Sequence, residues 1–462
     1  MAGLDIIEKL PEIILKGKEK AEKMLKSSYE DLFPYSEVIA GENCFENSLT
    51  NELYKGDNLF VMVKLLREGY EDKIDLIYVD PPFLTKSKYN GKINILSQKK
   101  EYTFELFAYD DTWDKGIYSY LEMLYPRLYL MKKLLSTRGT IYVHLDYRTV
   151  HYVKVLMDEI FGEENFLNEI IWAYKSGGVS KRYYSRKHDN ILVYTKTKNY
   201  IFNPQKEKSY NRDLKPYRFK GVEEYRDEIG WYTLVNLKDV WQIDMVGRTS
   251  SERVNYATQK PEKLLERIIL TSSEENSIVA DFFAGSGTTG IVAEKLNRSW
   301  IMSDKGNLSS ITIHKRLINN QRSPFLSFKE NGRARDGGKL LIKDGIVENG
   351  LLKIQLDKYE IDLENVNIKG KYKEQIEELI LDNSIALVEF IGIDLNYDGK
   401  RPVISTKLVR NFDKFYGSNI TIEGNFKEGQ KIFVKYIDIF GKENYDIYHI
   451  NKGRMNLCPE FL

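Results

Sequence analysis

The chain has 462 residues, of which 42% are hydrophobic and 30% charged, a composition that excludes a disordered or collagen-like protein and suffices for two or three domains. No run of 18 apolar residues and no secretory cleavage site are present, so neither a membrane span nor an exported protein is predicted. Only Cys44 and Cys458 occur, without metal-ligand spacing, which predicts no metal site and a reducing, cytoplasmic location.

Strands and helices are predicted to alternate from Leu53 onwards, after a helical N-terminal extension that Pro11 interrupts and a loop. Up to residue 147 the predicted elements are a turn leading into an amphipathic helix (56–70), a buried strand (74–79), a long helix stopped by Gly139 (119–138) and a strand (140–147). This alternation is typical of a parallel sheet with helical crossovers.

A polar segment rich in basic and aromatic residues follows the apolar run at 169–174 and lasts until about Val240. The alternation then resumes with a helix (260–273), a strand with a glycine-rich turn (277–290), a helix (288–297) and a strand (298–304). Beyond residue 323 the hydrophobic pattern has a period of two, which predicts a separate β-rich domain around one helix at 373–382.

The predicted strand 74–79 runs directly into Asp80, Pro81, Pro82 and Phe83. Two prolines fix the backbone twice and leave carbonyl oxygens without neighbouring N–H groups. The acid lies at the carboxyl end of a strand, where open α/β sheets bind their ligands. The result is a rigid cluster of hydrogen-bond acceptors beside a flat ring. It favours a ligand that donates N–H groups and stacks.

Gly285, Gly287 and Gly290 follow a predicted strand and open a helix with the spacing G-x-G-x-x-G. Such glycines let the backbone turn tightly and approach a ligand closely, while the helix N-terminus offers free N–H groups. Asp304 ends the next strand, where a carboxylate can accept both ribose hydroxyls. A nucleoside-containing cofactor is therefore predicted. The spacing alone fits a nicotinamide dinucleotide equally well, whereas the missing lysine excludes a nucleoside-triphosphate loop.

Positive charge is concentrated in one segment, although the net charge of the whole chain is only +1. Residues 175–220 contain 13 Lys and Arg residues and three acids. Basic residues interleaved with aromatic ones are typical of a nucleic-acid-binding segment. A solvated basic face with its own small core remains the alternative from charge alone.

Four motifs in a fixed order resemble the β class of amino-group DNA methyltransferases: GDNL (56–59), DPPF (80–83), TQKPEKLLERII (258–269) and DFFAGSGTT (281–289). In that family the catalytic motif comes first, the target-recognition region second and the cofactor-binding glycines last. The flanking patterns at 109–115 and 161–172 also resemble the modification subunits of type III restriction systems. The resemblance covers about residues 50–320.

The resemblance implies S-adenosylmethionine as the cofactor. It places the residues Thr258–Pro261 at the amino-acid end of the cofactor, Asp304 at the ribose and Asp57 at the adenine. The residues implied along its methionine and ribose are Phe283, Ala284, Gly285 and Gly287. Phe282 stands where the family usually has proline. The complete set of implied cofactor-binding residues is Asp57, Asn58, Thr258, Gln259, Lys260, Pro261, Asp281, Phe283, Ala284, Gly285, Gly287, Thr288 and Asp304.

The implied catalytic residues are Asp80, Pro81, Pro82 and Phe83, which act on a base turned out of the duplex. Hydrogen bonds from an exocyclic amine to the Asp80 carboxylate and the Pro81 carbonyl would free the nitrogen lone pair for attack, with Phe83 stacked on the base. Adenine N6 and cytosine N4 present the same amine chemistry. The acid at position 80 resembles adenine enzymes more closely. Methylation of cytosine C5 is disfavoured because no cysteine lies in this core.

The predicted fold class is α/β, a Rossmann-like S-adenosylmethionine-dependent methyltransferase with permuted motif order. Its predicted segments are a helical extension (1–50), a catalytic half (51–172), a target-recognition insert (173–240), a cofactor-binding half (241–324) and a β-rich C-terminal domain (325–462). The strands that end at Asp80 and Phe282 are predicted to be neighbours. His144 is predicted to be a packed or hydrogen-bonded strand residue.

Double-stranded DNA is the predicted partner, and no membrane partner is expected. The residues predicted to contact DNA are Lys86, Lys88, Lys181, Arg182, Arg186 and Lys187. The resemblance leaves open a restriction ATPase or nuclease subunit, a homodimer, a cytosine N4 or RNA substrate, and a role as a recognition subunit without catalysis. A nicotinamide oxidoreductase is the remaining rival. A prokaryotic cytoplasm is the location that the resemblance implies.

Overall fold

The computed structural model describes most of the chain. The described residues are 6–27, 32–41, 51–97, 100–320, 323–332, 335–366, 370–410 and 417–458. Cys44 and most of the loop predicted before residue 50 therefore lie outside the described residues. No helix among these ranges is long and apolar enough to cross a membrane.

The elements of the first half are helix α1 (Ile6–Lys26), strands β1 (Ser36–Ile39) and β2 (Asn51–Lys55), helix α2 (Asn58–Arg67), strands β3 (Ile74–Val79), β4 (Lys88–Ser97) and β5 (Lys100–Asp110), helix α3 (Ile117–Leu134), strand β6 (Leu135–Leu145), helix α4 (Val150–Phe161) and strands β7 (Phe166–Ala173), β8 (His188–Thr195), β9 (Lys206–Tyr210), β10 (Tyr225–Arg226), β11 (Trp231–Asn236) and β12 (Val240–Gln242).

The elements of the second half are helix α5 (Glu262–Ser272), strand β13 (Ile278–Asp281), helix α6 (Thr288–Lys295), strand β14 (Ser299–Asp304), helix α7 (Asn307–Asn320), strands β15 (Phe325–Lys329), β16 (Lys339–Glu348) and β17 (Leu351–Glu360), helix α8 (Gly370–Asn383) and strands β18 (Val388–Asp394), β19 (Val403–Ile404), β20 (Thr406–Val409), β21 (Asn419–Glu423), β22 (Lys431–Asp438), β23 (Glu443–Asn451) and β24 (Arg454–Leu457).

The main sheet has the strand order β12-β7-β8-β6-β3-β13-β14-β2-β15-β1-β19. Its centre, from β6 to β15, is parallel throughout. Strands β3 and β13 are adjacent, with Val279 opposite Leu76 and Ala280 opposite Ile77. The prediction that these two strands are neighbours is thus confirmed. Because the central strands are parallel, the residues that follow them meet at one edge of the sheet.

Helices cover both faces of the main sheet. Helices α2, α3 and α4 contribute to the hydrophobic core on one face, and α5, α6 and α7 to the core on the other. In β3 every residue except Asp75 is buried. Burial on both faces explains why the strand is a continuous apolar run rather than an alternating one. The predicted α/β class is confirmed.

Two helices differ from the prediction, one in its end and one in its continuity. Helix α3 ends at Leu134, not at Gly139, because β6 begins at once and pairs Leu135 with Ile74. A Cβ atom at Gly139 would lie 2.9 Å from the Ile74 carbonyl oxygen, so the glycine permits close strand packing and does not stop the helix. Helix α1 runs through Pro11 without interruption.

The basic segment is only partly an insertion. Strand β8 lies inside it and pairs antiparallel with both β6 and β7. Strands β9, β10 and β11 form a separate small sheet in the order β10-β11-β9. The chain then returns to the main sheet, where β12 pairs in parallel with β7. The part that stands apart from the main sheet is therefore about 206–236.

The C-terminal region forms an eight-stranded sheet in the order β20-β18-β22-β23-β24-β16-β17-β21. Helix α8 packs on its core through Ile376 and Leu379. The predicted β-rich domain with one helix is confirmed. Strand β15, which begins at the predicted boundary, belongs to the main sheet, and β19 pairs with β1 at its edge. The exact domain boundaries remain predictions.

Candidate active site

A cavity of about 880 Å³ opens at the carboxyl edge of the main sheet. Residues from all four sequence motifs line it. The predicted site residues on its walls are Asp57, Asn58, Asp80, Pro81, Pro82, Phe83, Thr258, Lys260, Asp281, Phe283, Ala284, Gly285, Thr288 and Asp304. Gln259, Pro261 and Gly287 do not line it. The fold therefore brings together residues that are more than 240 positions apart in the chain.

Asp80 has one carboxylate oxygen engaged and one open. Its Oδ2 lies 2.5 Å from the Lys260 Nζ. Its Oδ1 is buried and accepts no hydrogen bond from any described residue. The Lys260 ammonium also lies 5.2 Å from the centre of the Phe83 ring. An orphaned buried acceptor is unfavourable unless a ligand supplies a donor. The site thus has a place for an N–H group next to Asp80.

Asp111 holds the turn that follows Asp80. This residue is 1% exposed, and its carboxylate accepts hydrogen bonds from the backbone N–H groups of Phe83 (3.2 Å), Leu84 (2.9 Å) and Thr85 (2.8 Å). It also accepts bonds from the Thr85 hydroxyl (2.7 Å) and the Trp113 indole (2.9 Å). These contacts fix the Phe83 backbone. The sequence prediction missed Asp111, although it lies within the pattern at 109–115.

A buried network of hydrogen-bonded side chains packs against Phe83 through the His144 ring. The His144 ring lies 5.8 Å from the Phe83 ring and is nearly parallel to it. Its Nδ1 is 2.8 Å from the Tyr78 hydroxyl, and its Nε2 is 3.2 Å from an Asp189 carboxylate oxygen. Burial raises the pKa of Asp189, but the bond to His144 and the charge of Lys260 outweigh it and lower this pKa overall. The structural role predicted for His144 is confirmed.

The glycine turn is closely packed. Gly287 has φ of +75°, and a Cβ atom there would lie 2.9 Å from Ile313 Cγ1, so a larger residue would be strained and would clash. The Gly285 N–H donates to one Asp304 oxygen (2.8 Å), and the Gly306 N–H donates to the other (2.7 Å). Burial raises the pKa of Asp304. Asp304 therefore orders the glycine turn as well as lining the cavity.

Asp281 and Arg316 hold the same glycine turn through hydrogen bonds. The Asp281 carboxylate accepts bonds from the Phe283 N–H (2.9 Å) and the Thr289 hydroxyl (2.5 Å), and burial raises its pKa to about 7. Arg316 donates to the Ser286 carbonyl (3.0 Å) and the Thr288 hydroxyl (3.0 Å). The sequence prediction included Asp281 but missed Arg316, which lies on α7 outside every motif.

Asp57 and Asn58 join helix α2 to the neighbouring strands. Asp57 caps the helix by accepting the Leu59 N–H (3.0 Å) and pairs with Arg127 at 2.7 Å. The Asn58 amide donates to the Phe282 carbonyl (2.6 Å). These bonds position the β2 end beside the glycine turn. The adenine contact predicted for Asp57 remains a prediction.

The residues before α5 shape a loop rather than the cavity wall, apart from Thr258 and Lys260. The Gln259 amide accepts the Val254 N–H (2.9 Å) and donates to the Glu252 carbonyl (2.6 Å). Pro261 occupies the N-cap position of α5. Gln259 and Pro261 thus hold Lys260 in place but are not themselves at the cavity. Their cofactor contacts remain predictions.

The residues predicted to contact DNA fall into two groups. Lys181 and Arg182 are exposed on the loop 174–187, which joins β7 to β8 at the carboxyl edge of the sheet. Arg186 donates to the Tyr147 hydroxyl (2.7 Å) and stacks on its ring, while Lys187 donates to the Ser176 carbonyl (2.9 Å) and so ties the loop together. The loop therefore carries positive charge at the same edge of the sheet as the catalytic turn.

Lys86 and Lys88 follow the catalytic turn in the chain. Lys86 has φ of +61°, and its backbone N–H donates to the Asp111 carbonyl (3.1 Å). Lys88 begins β4 and lies 3.4 Å from an Asp110 carboxylate oxygen, with most of its side chain exposed. Their contacts with DNA remain predictions.

Comparison with known proteins places the chain among DNA-modifying enzymes. The family model described as DNA methylase (N6_N4_Mtase) matches residues 74–313. The type II methyltransferase M.HpaI of Haemophilus parainfluenzae is 31% identical over 268 residues, covering 58% of this chain and 75% of that protein. The DNA adenine methyltransferase YhdJ of Escherichia coli is 28% identical over 53% of this chain and 75% of its own length.

A third relative is a subunit of a restriction-modification enzyme. The Mod subunit of the type III restriction-modification enzyme StyLTI of Salmonella typhimurium is 27% identical, over 60% of this chain and 54% of that protein. The resemblance to DNA methyltransferases, predicted from four short motifs, and to type III modification subunits, predicted from the flanking patterns, is confirmed. A family match that spans more than half of the chain, from strand β3 to helix α7, shows that this protein belongs to the DNA methylase family.

Proposed function

We propose that this protein transfers a methyl group from S-adenosylmethionine to the N6 atom of an adenine turned out of duplex DNA. The observation that carries the proposal is the open Oδ1 of Asp80 in the large cavity that Phe83 also lines. The other oxygen of this carboxylate, Oδ2, is held by Lys260. An amine N–H satisfies that acceptor, and the ring of a base can stack on Phe83. The name of the relative YhdJ supports adenine as the base.

The cavity residues fit S-adenosylmethionine. The volume of about 880 Å³ is sufficient for a nucleoside joined to an amino acid together with part of a base. The tight turn at Gly285 and the Asp304 carboxylate provide a close backbone approach and an acceptor for hydroxyl groups. When bound, this cofactor supplies an electrophilic methyl group on a sulfonium whose sulfur keeps the electron pair of the broken bond.

The residues around Asp80 activate the amine. The Asp80 Oδ1 and the Pro81 carbonyl accept the two N–H groups of the exocyclic nitrogen, which directs its lone pair out of the ring plane and towards the methyl group. After the new N–C bond forms, the nitrogen loses one proton, which the Asp80 carboxylate accepts and passes to water. Lys260 keeps the carboxylate in one orientation through its contact with Oδ2.

Tritiated methyl transfer to mixed-sequence duplex DNA, followed by nucleoside analysis, tests the proposal. We expect the label in N6-methyladenine. Label in N4-methylcytosine would keep the roles of Asp80 and Phe83 and overturn the base. Cofactor binding without transfer to DNA or RNA would instead support a recognition subunit, and failure to bind the cofactor would contradict the proposal entirely.

We expect the exposed charges of the loop 174–187 to bind DNA phosphates. The double substitution Lys181→Ala and Arg182→Ala should weaken DNA binding and reduce the slope of log K against log salt by about 2, near one unit for each lost phosphate contact. Fluorescence anisotropy at several salt concentrations measures this slope. The matched control removes Lys18 and Lys20, which are exposed on α1. An equal change in both variants would contradict local binding at this loop.

The remaining partners are supported less directly. The names of relatives such as the StyLTI Mod subunit support a restriction subunit as a protein partner, and the family resemblance leaves a homodimer open. Both remain predictions. A DNA substrate and bacterial relatives support the prokaryotic cytoplasm as the location.

A further inference from the structure

The C-terminal domain reaches into the cavity that the proposed function assigns to the cofactor. The turn between β22 and β23, residues 439–442, contributes Ile439, Phe440 and Lys442 to the cavity wall. Ile439 and Phe440 also belong to the hydrophobic core of the C-terminal domain. The wall is therefore built on a folded domain that lies outside the family match at 74–313.

The turn has a fixed shape. The Asp438 carboxylate accepts the backbone N–H groups of Phe440 (2.9 Å) and Lys442 (3.0 Å), and its other oxygen accepts the Tyr359 hydroxyl (2.9 Å). Gly441 has φ of +72°, and a Cβ atom there would lie 2.6 Å from the Asn307 carbonyl oxygen. The turn therefore packs directly on the segment that follows Asp304.

Buried charges attach the turn to the end of β2. The Lys55 ammonium donates to the Gly441 carbonyl (2.7 Å) and lies 3.1 Å from the Glu443 carboxylate. Glu443 is also 2.9 Å from Lys435, whose ammonium lies 2.6 Å from Glu37. Buried ion pairs of this kind hold a geometry because removing one partner leaves an unpaired charge. Lys55 is two residues from Asp57, so the turn is fixed relative to the cavity.

The same domain supports a second wall. The end of β5, residues 106–110, lines the cavity, while Tyr102 and Phe104 earlier in that strand pack into the C-terminal core. Ser97 at the end of β4 donates to Asp382 on α8 (2.9 Å). The C-terminal domain thus contacts the cavity through its own turn and through the β4–β5 hairpin.

We propose that the turn 439–442 completes the nucleoside end of the cofactor site, with the Phe440 ring against the adenine of S-adenosylmethionine. This inference rests on the proposed function, which puts the ribose at Asp304 and the reacting methyl near Asp80. The turn packs beside Asn307, on the Asp304 side of the cavity, whereas Lys260 and Phe83 lie at Asp80. The C-terminal domain is then part of the binding site and not an appended module.

The test compares two substitutions in the full chain, Phe440→Leu and the matched Phe426→Leu, which changes a half-buried ring of the same domain outside the cavity wall. Leucine keeps most of the buried volume. Calorimetry measures binding of S-adenosylhomocysteine and of 5′-methylthioadenosine, which lacks the amino-acid end. Phe440→Leu should weaken both ligands by a similar factor, about tenfold, whereas Phe426→Leu should leave both within about twofold.

Melting curves accompany the titrations. Phe440→Ala provides a second variant, which removes the ring and more of the side-chain volume. Unchanged affinities in a folded Phe440→Leu protein would overturn the inference while the proposed function stands. Equal losses in the Phe440 and Phe426 variants would also overturn it, because they would indicate a general loosening of the domain. Failure of the unsubstituted protein to bind S-adenosylhomocysteine would contradict the proposed function itself.

Discussion

Replacing Asp80 with alanine is expected to lower kcat on the order of a thousandfold while S-adenosylmethionine still binds. The Asp80 Oδ1 is an open acceptor in the cavity that Phe83 also lines, and its removal takes away the hydrogen bond that is proposed to shape the amine for attack. The cofactor contacts proposed for Asp304 and the Gly285 turn are untouched by the change. Single-turnover methyl transfer and calorimetric cofactor binding, measured on the same preparation, separate the two effects.

Because Lys260 contacts the Asp80 carboxylate, the alanine variant needs a control that keeps a side chain of the same size at position 80. Alanine at position 80 leaves the Lys260 ammonium, whose side chain is 10% exposed, without its carboxylate. The substitution Asp80→Asn keeps the size of the side chain and a carbonyl oxygen that can accept from Lys260, so it should fold normally. Its NH₂ group then replaces the open acceptor, so the variant should still be inactive. Asp75→Ala, at the other end of β3, removes a carboxylate that accepts the Ser136 hydroxyl (2.9 Å) and no other side chain in the described part of the molecule, and it should leave kcat unchanged. A parallel loss of cofactor affinity and kcat in the Asp80 variants would assign Asp80 to binding instead.

The order of the central elements was predictable because each depends on a local pattern. The apolar run of β3, the acid and prolines after it, and the glycine turn before α6 are all contiguous in sequence. Their adjacency followed from a resemblance in motif order, since no local pattern brings β13 beside β3. Gly139 shows the limit of predicting element boundaries from local patterns. A glycine after an apolar helix suggests a helix end, yet it is required by a strand contact with Ile74.

The parts of the site that escaped prediction are held by contacts between distant residues. Lys260 meets Asp80 across 180 positions, so its pairing with the carboxylate could not be derived from either motif alone. Arg316 reaches the glycine turn through hydrogen bonds and Phe440 lines the cavity, and neither lies in a pattern with a chemical signature. The basic segment illustrates the opposite error. Its charge predicted an insertion, but β8 within it is a buried strand of the main sheet because it completes the core beside β6.

Asp111→Asn is expected to lower the free energy of unfolding by about 3 kcal/mol and to reduce kcat. Asp111 is not among the residues that the sequence predicted to be catalytic. Five donors converge on this nearly inaccessible carboxylate, three of them backbone N–H groups from Phe83 to Thr85. Asparagine has the same shape but presents an NH₂ group to some of these donors. The catalytic turn then loses its bonds and the Phe83 ring its fixed position.

The neighbouring residue provides the matched control for that prediction. Asp110 precedes Asp111 in the chain and is exposed. Among the described residues, its carboxylate accepts hydrogen bonds from the Thr112 N–H (2.8 Å) and hydroxyl (2.6 Å) and contacts Lys88. Asp110→Asn should therefore change stability little. Urea unfolding and kcat are measured for both variants. Because Asp111 holds the catalytic turn and not the proposed nucleoside end, its loss should lower kcat far more than cofactor affinity. An Asp111→Asn protein as stable and active as the unsubstituted one would contradict this role and show that the turn is held by its two prolines alone.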